Sequence, residues 1–331
     1  MTGEGLSAAE QAAPEQVGID WRRLAAPAAV VAAVVVILVA GGLTTSAFLT
    51  VDNILIVVRA ASITGIVALG MTFVTLSRNF FSISVEQTAA FVSIVFAESL
   101  AHDYGLAAGL ALAFAVVVLI GLGQGLVVAG GLNPIVVTLG AGAALYGLAA
   151  VITHNEVVNF DSSAAVEWVG TGRPFGVPTQ SWAFILLTIL STLVLTRTRF
   201  GREIYLVGTN RAAARASGLS VGKATVVAFT LSSVAAGIAG VFTAAQVTQA
   251  PLTQFNGLNI DVIAAVLVGG TALQGGEGST LRSALGAVFI ALLANLMLLR
   301  NASFGERTLV TGLVVVFATS AFHLLRTRGR R

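Results

Sequence analysis

The 331-residue sequence contains no cysteine and few charged residues. The lack of cysteine excludes disulfide bonds, thiolate metal sites and a cysteine nucleophile. Charged residues make up 10% of the chain, whereas a soluble domain carries about 25%, and 56% of the residues are hydrophobic. This composition predicts an integral membrane protein.

Side chains suited to catalysis or metal binding are also scarce. The three histidines, His102, His154 and His323, are far apart in the sequence, which indicates neither a metal site nor a catalytic triad. Residues 218–223 are one residue too short for a phosphate-binding loop, and Ala224 stands where serine or threonine is required. We therefore expect no catalytic residues, no metal and no cofactor in this chain.

Long uncharged runs are the main feature that is present. Crossing a bilayer takes about 20 apolar residues in a helix, and continuous rather than alternating apolar runs favour helices over a β-barrel. We predict an all-α, polytopic bundle of about ten transmembrane helices over residues 24–325, between a polar tail (1–23) and a basic tail (326–331). The predicted spans are 24–51, 60–77, 80–100, two within 104–155 that divide at 129–134, 181–196, 224–246, a broken or re-entrant segment at 261–277, 283–299 and 308–325.

The basic residues give this bundle an orientation. With the N-terminus inside, four of the eighteen lysines and arginines fall outside, and fourteen fall inside. The positive-inside rule therefore predicts that both termini are cytoplasmic, and with them the segment 197–223.

Segment 197–223 is the most basic part of the chain and contains a predicted short helix. Asn210 or Thr209 can cap its start, residues 211–217 are rich in alanine, and Gly218 stands where a helix ends. A helix of two turns is unstable alone. One interpretation is a docking element for a cytoplasmic partner, and the other is that its arginines only fix the topology. Its six basic residues are Arg197, Arg199, Arg202, Arg211, Arg215 and Lys223.

A few polar residues fall inside or beside the apolar runs. Glu86 either lines a pathway or is an interfacial carboxylate at a helix start. Asn133, Gln246 and Asn295 can each bind a polar solute or form a hydrogen bond between helices.

Four stretches, in order, resemble the permease subunits of bacterial ABC importers, in the branch that carries monosaccharides such as ribose and xylose. The wider family includes branched-chain amino-acid permeases. The stretch FGREIYLVGTNRAAARASGLSVGK resembles the family's cytoplasmic loop. The other three are SAFLTVDNILIVVRAASITGIVALGMTFVTLS (46–77), NPIVVTLGAGAALYGLA (133–149) and DVIAAVLVGGTALQGGEGS (261–279).

The resemblance implies a multi-pass protein of the bacterial cytoplasmic membrane, in contact with lipid and not with nucleic acid. It implies a second permease copy, identical or paralogous, an extracytoplasmic solute-binding protein, and a cytoplasmic ATPase that binds the ATP. The loop helix would insert into a groove on the ATPase. The coupling residues would then be Arg202, Asn210, Arg211, Arg215 and Gly218.

One segment departs from the family pattern. Where the family has a glycine pair followed by I-D-L-S-V-G-S, this chain reads RNFFSISVEQT. Ser82 replaces the acidic residue, and Glu86 and Gln87 replace G-S. One interpretation is that Ser82, Glu86 and Gln87 line the solute pathway, so that solute preference differs from that for common sugars. The other is that the segment is a drifted copy of the family pattern with poor transport.

Two other classes of function compete with an ABC permease. A secondary transporter driven by an ion gradient would need acidic residues deep in the spans, and the runs 104–155 and 224–260 contain none. An intramembrane enzyme would need a catalytic constellation. Within the permease interpretation, a branched-chain amino acid or a nucleoside is the alternative solute.

Overall fold

The computed structural model describes the backbone of residues 21–328, and the side chains of residue 28 and residues 30–320. Most of the two predicted tails, including Arg330 and Arg331, lies outside the described residues. Residues 21–23, which were assigned to the polar tail, begin the first helix. The side chain of His323 is also outside the described part.

The described residues form helices almost throughout. A single short antiparallel ribbon pairs β1 (Val158–Asn159) with β2 (Gln249–Ala250), and a 3-10 turn covers Pro174–Gly176. The α-helices are α1 (Trp21–Thr44), α2 (Val51–Leu76), α3 (Val85–Ala101), α4 (Gly105–Ala129), α5 (Pro134–Thr153), α6 (Ala164–Thr171), α7 (Thr179–Arg197), α8 (Arg199–Thr209), α9 (Arg211–Ala216), α10 (Val221–Val247), α11 (Leu258–Val268), α12 (Thr280–Leu299) and α13 (Phe304–Arg328).

Six of the described helices are long and apolar enough to cross a membrane: α2, α4, α5, α7, α10 and α12. This confirms the predicted all-helical membrane bundle. The predicted break in the segment 261–277 is also confirmed, because α11 ends at Val268 and residues 269–279 form no helix.

Three predicted boundaries are wrong. The first span was predicted to reach residue 51, but α1 ends at Thr44 and residues 45–50 form turns. Residues 52–59 were predicted as an interfacial connection but belong to α2, whose start is capped by the Thr50 hydroxyl and carries Asp52 in its first turn, where the helix dipole favours an acid. The third span was predicted to begin at residue 80 but begins at Val85. Arg78 and Phe80 have φ values of 64° and 58°, in the left-handed region, which keeps residues 80–84 out of a helix.

The centre of the bundle is α10, which packs against α2, α3 and α4. One buried cluster joins α2, α3, α10, α11 and α12 through residues such as Met71, Ala239 and Val262. A second joins α3, α4, α5 and α10 through Phe96 and Val117. By contrast α4, α5 and α7 leave large apolar side chains exposed, as membrane-facing helices do.

Candidate functional site

The basic segment folds as two consecutive helices, α8 and α9. The sequence analysis predicted α9 and not α8. In α9, the Asn210 side-chain oxygen accepts hydrogen bonds from the amides of Ala212 and Ala213 at 3.0 and 3.1 Å, and Gly218 has a φ of 77°. The predicted cap and stop of this helix are therefore confirmed.

Each of these helices has a buried face and an exposed face. Ile204 and Val207 of α8 are fully buried, and Ala214 of α9 packs with Val207 and the start of α10. Arg202, Asn210, Arg215 and Gly218 are exposed, as are Ala212 and Ala213. The packing that a two-turn helix requires thus comes from within the protein, and its other face is free for a partner.

Arg211 differs from the other predicted coupling residues because it points back into the protein. It is half-buried, and its Nη2 atom donates to the Ser77 carbonyl at 3.0 Å and to the Asn79 side-chain oxygen. Burial lowers the pKa of its guanidinium, and the nearby charges of Arg215 and Arg78 act in the same direction. Arg211 therefore links α9 to the end of α2.

The end of α8 meets the end of α2 and the 269–279 loop at a contact that we call the α2–α8 junction. Arg78 Nη1 donates to the Thr209 carbonyl at 3.4 Å, and the Tyr205 hydroxyl donates to the Gly278 carbonyl at 2.8 Å. The Gly276 amide donates to the Leu76 carbonyl at 3.0 Å. A Cβ atom at Gly208 would overlap the Leu76 carbonyl oxygen and the backbone of Gly276, so the close approach requires glycine there.

From the junction, residues 78–84 run back alongside α2 to the start of α3. The Ser82 amide lies 3.2 Å from Met71 Sδ, and its hydroxyl lies 3.1 Å from that of Ser84. The Ser84 hydroxyl in turn donates to Gln124 Oε1 at 3.0 Å. All three polar side chains are buried. Buried hydroxyl and amide groups of this kind can hydrogen-bond a polar solute or hold helices together.

Glu86 lies in the first turn of α3 and contacts the start of α11. Its Oε2 atom accepts from the backbone amides of Gly257 and Asn259, at 3.2 and 3.4 Å. The Glu86 amide donates to the Asn259 side-chain oxygen at 3.3 Å. The two residues therefore cap each other's helices.

The remaining predicted pathway residues do not join this group. Asn133 is exposed and caps α5 by accepting from the Ile135 amide at 2.9 Å. Asn295 exchanges two hydrogen bonds with Asn53, at 2.9 and 2.8 Å, and so joins α12 to α2. Gln246 is half-buried near the end of α10.

Gln87 lies beside α5. Its Oε1 atom would be 3.1 Å from a Cβ atom added at Gly142. Ser82, Glu86 and Gln87 thus lie on one continuous segment that touches α2, α5 and α11.

Two residues that complete these contacts, Asn79 and Asn259, were not predicted from the sequence. Asn79 is fully buried and follows Arg78 in a left-handed turn. Asn259 lies two residues after Gly257, the N-cap residue of α11. For Asn259 the one sequence signal was the group Asn-Gly-Leu-Asn at 256–259, which is typical of a helix start.

Comparison with known proteins gives a consistent picture. A family model described as "Branched-chain amino acid transport system / permease component" matches residues 53–319. The ribose import permease protein RbsC of Escherichia coli K12 is 33% identical over 275 residues, which cover 82% of this chain and 85% of the relative. The probable ABC transporter permease protein YphD of the same strain is 33% identical over 285 residues, or 86% of this chain and 85% of the relative.

A third relative is the autoinducer 2 import system permease protein LsrC of Klebsiella pneumoniae. It is 32% identical over 271 residues, which cover 82% of this chain and 78% of the relative. No solved structure matches the chain significantly.

Proposed function

Because this chain belongs to the family of branched-chain amino acid transport system permease components, we propose that it forms the membrane pathway of an ATP-driven importer for a monosaccharide. The names of its relatives support this solute class, since they include permeases for ribose import and autoinducer 2 import. The chain is a transport subunit of the bacterial cytoplasmic membrane. ATP is bound and hydrolysed by a separate subunit.

The observation that carries this proposal is the arrangement of α8 and α9. Their apolar faces are packed inside the protein, while Arg202, Asn210, Arg215 and Gly218 face outward. A basic, exposed and firmly anchored helix is suited to docking a cytoplasmic ATPase. Arg211 and the α2–α8 junction then connect the docked helix to the membrane helices.

We further propose ten membrane helices: α1 to α5, α7, and α10 to α13. In this count α3 and α11 are partial spans, and both termini are cytoplasmic. The positive-inside rule supports this orientation. A second permease copy would contact the exposed apolar faces, and a binding protein would deliver solute on the outer side.

We propose an alternating-access mechanism that uses these contacts. ATP-driven closure of the ATPase moves α9, and the α2–α8 junction passes the movement to α2 and to the 269–279 loop. A solute shifts the equilibrium between states only through its different affinity for each state. The segment with Ser82, Glu86 and Gln87 is our proposed contact with the solute.

The alternatives are an ABC permease for a branched-chain amino acid or nucleoside and a secondary transporter. To separate them, the chain is purified with its ATPase and binding protein, and uptake of ribose, autoinducer 2, leucine and a nucleoside into proteoliposomes is measured with and without ATP. We expect ATP-dependent uptake of ribose or autoinducer 2, whereas ATP-dependent uptake of leucine or the nucleoside alone would indicate the alternative solute. Uptake driven by an ion gradient without ATP would indicate a secondary transporter.

Docking is tested with Ala213→Glu/Arg215→Glu, which reverses the charge of the exposed face of α9. We expect loss of the ATPase on purification. The control is Arg173→Glu, an exposed charge reversal in the 154–178 connection. If the ATPase still co-purifies with the α9 variant, α9 is not the docking helix.

A further inference from the structure

Two helices of this bundle, α3 and α11, are too short to cross a membrane. At about 1.5 Å per residue they measure roughly 26 and 17 Å, against a hydrocarbon thickness of about 30 Å. Both begin inside the bundle, and their starts touch through Glu86 and Asn259. The two residues occupy equivalent positions in their helices. Each lies two residues after the N-cap residue, which is Ser84 in α3 and Gly257 in α11.

The contact is favourable only while the two helix starts lie together. The Glu86 carboxylate accepts both of its hydrogen bonds at Oε2, from the amides of Gly257 and Asn259. The positive ends of two helix dipoles also converge on this carboxylate. A carboxylate within a membrane protein is costly without such partners. Moving α3 away from α11 would remove both hydrogen-bond donors of the Glu86 carboxylate at once.

The two helices share a buried apolar cluster, but their hydrogen bonds attach them to different parts of the protein. The start of α3 is bonded to α4, through Ser84 and Gln124, and the Ile83 amide donates to Thr138 of α5 at 3.2 Å. The far end of α11 leads into the 269–279 loop, which is bonded to α2 and α8 at the junction. A movement that starts at α8 therefore reaches α11 through the 269–279 loop and reaches α3 through Arg78 and residues 79–84. The Glu86–Asn259 contact is where these two routes meet.

We propose that Glu86 and Asn259 form a clasp between the two broken helices, and that each transport cycle requires this clasp to open. Beside the proposed solute contact of the segment that holds Glu86, the two residues thus act as positioning residues, which set the relative placement of α3 and α11. The inference rests on the proposed transport function, and it adds a moving part that the family assignment does not identify.

The natural absence of cysteine makes a cross-linking test direct. In Glu86→Cys/Asn259→Cys, oxidation is expected to form a disulfide that holds the clasp shut and lowers ATP-driven ribose uptake at least tenfold, with recovery on reduction. The control is Ser62→Cys/Ser181→Cys, which replaces another buried, hydrogen-bonded pair between helices, α2 and α7. Its oxidation should leave uptake unchanged.

Three results would overturn the clasp. Uptake that continues in the fully cross-linked clasp variant shows that the contact need not open. Failure of the disulfide to form with and without ATP contradicts the proximity of the two residues. Equal inhibition in the control pair shows that any cross-link between helices is sufficient. If the unmodified chain shows no ATP-driven uptake, the proposed function fails, and the cross-link yields alone then test the contact.

A second set of variants covers the case in which the cysteine protein does not fold. Asn259→Asp places two carboxylates at the contact, and we expect ATP hydrolysis to continue while uptake falls about tenfold. The exchange Glu86→Gln/Asn259→Asp keeps one acid and one amide at the same two positions, and should restore at least half of the uptake. Wild-type coupling in Asn259→Asp, or no recovery in the exchange, would contradict the clasp.

Discussion

Replacing Arg211 by alanine tests how α9 is linked to the membrane helices. The guanidinium donates to the Ser77 carbonyl and to the Asn79 side chain, 134 and 132 residues away in sequence. Removing it leaves both acceptors without this donor, although Asn79 keeps its own hydrogen bond to the Ser77 hydroxyl at 2.7 Å. The helix itself should persist, because its Asn210 cap and its buried Ala214 are unchanged.

The expected size of the effect follows from these two bonds. A hydrogen bond from a charged donor contributes about 1.5–3 kcal/mol, and an acceptor left unsatisfied costs about 1–3 kcal/mol. Because Arg211 is only half-buried, we take about 2 kcal/mol as the loss for the docked arrangement of α9. That is roughly a 30-fold change in the ratio of linked to unlinked states. We therefore expect ATP hydrolysis to continue while uptake per ATP falls at least tenfold.

The assay measures ATP hydrolysed and ribose imported in the same proteoliposomes, with complex assembly checked by co-purification. Arg199→Ala is the matched control, since it removes an equal charge from an exposed position of α8. Unchanged uptake per ATP in Arg211→Ala would refute the transmission role. Loss of the ATPase from the complex would also refute it, because Arg211 would then be a docking residue.

Two further changes test the packing around the site. Gly208→Ala should lower the free energy of unfolding by about 3 kcal/mol through overpacking against the backbone of Leu76. Gly218→Ala, in open space at positive φ, should lower it by only about 1 kcal/mol. Thermal unfolding in detergent measures both, and an equal loss of stability in the two variants would contradict the close approach at Gly208. Asn295→Leu should destabilise the protein by about 1–3 kcal/mol because Asn53 loses its buried partner. Adding Asn53→Leu should recover part of this loss. A change of solute preference in Asn295→Leu would instead support Asn295 as a pathway residue.

The membrane helices could be predicted because residues at or near their ends in the sequence set their limits. Gly130, Gly131 and Pro134 separate α4 from α5, and uncharged runs define α7 and α10. The errors at the starts of α2 and α3 have physical causes. Asp52 counts against a span in composition, yet it suits the first turn of α2. The run of residues 80–84 is apolar, and composition carries no information on the backbone turn at Arg78 and Phe80.

The site was less predictable because its contacts are long-range. The caps of α9 are local and could be read from Asn210 and Gly218. The partners of Arg211 and Glu86 lie 132 and 173 residues away, and no local pattern indicates them. Helix α8 was missed because its charges suggested a loop, although Ile204 and Val207 lie at helical spacing.

The central claim is that ATP hydrolysis by a subunit docked on α9 drives solute through this chain. It is tested most directly by ribose uptake into proteoliposomes that contain the chain, its ATPase and its binding protein, with Ala213→Glu/Arg215→Glu measured beside the unmodified protein. The account predicts uptake that requires ATP and is lost in the variant. Equal uptake by both proteins, or uptake without ATP, would contradict it.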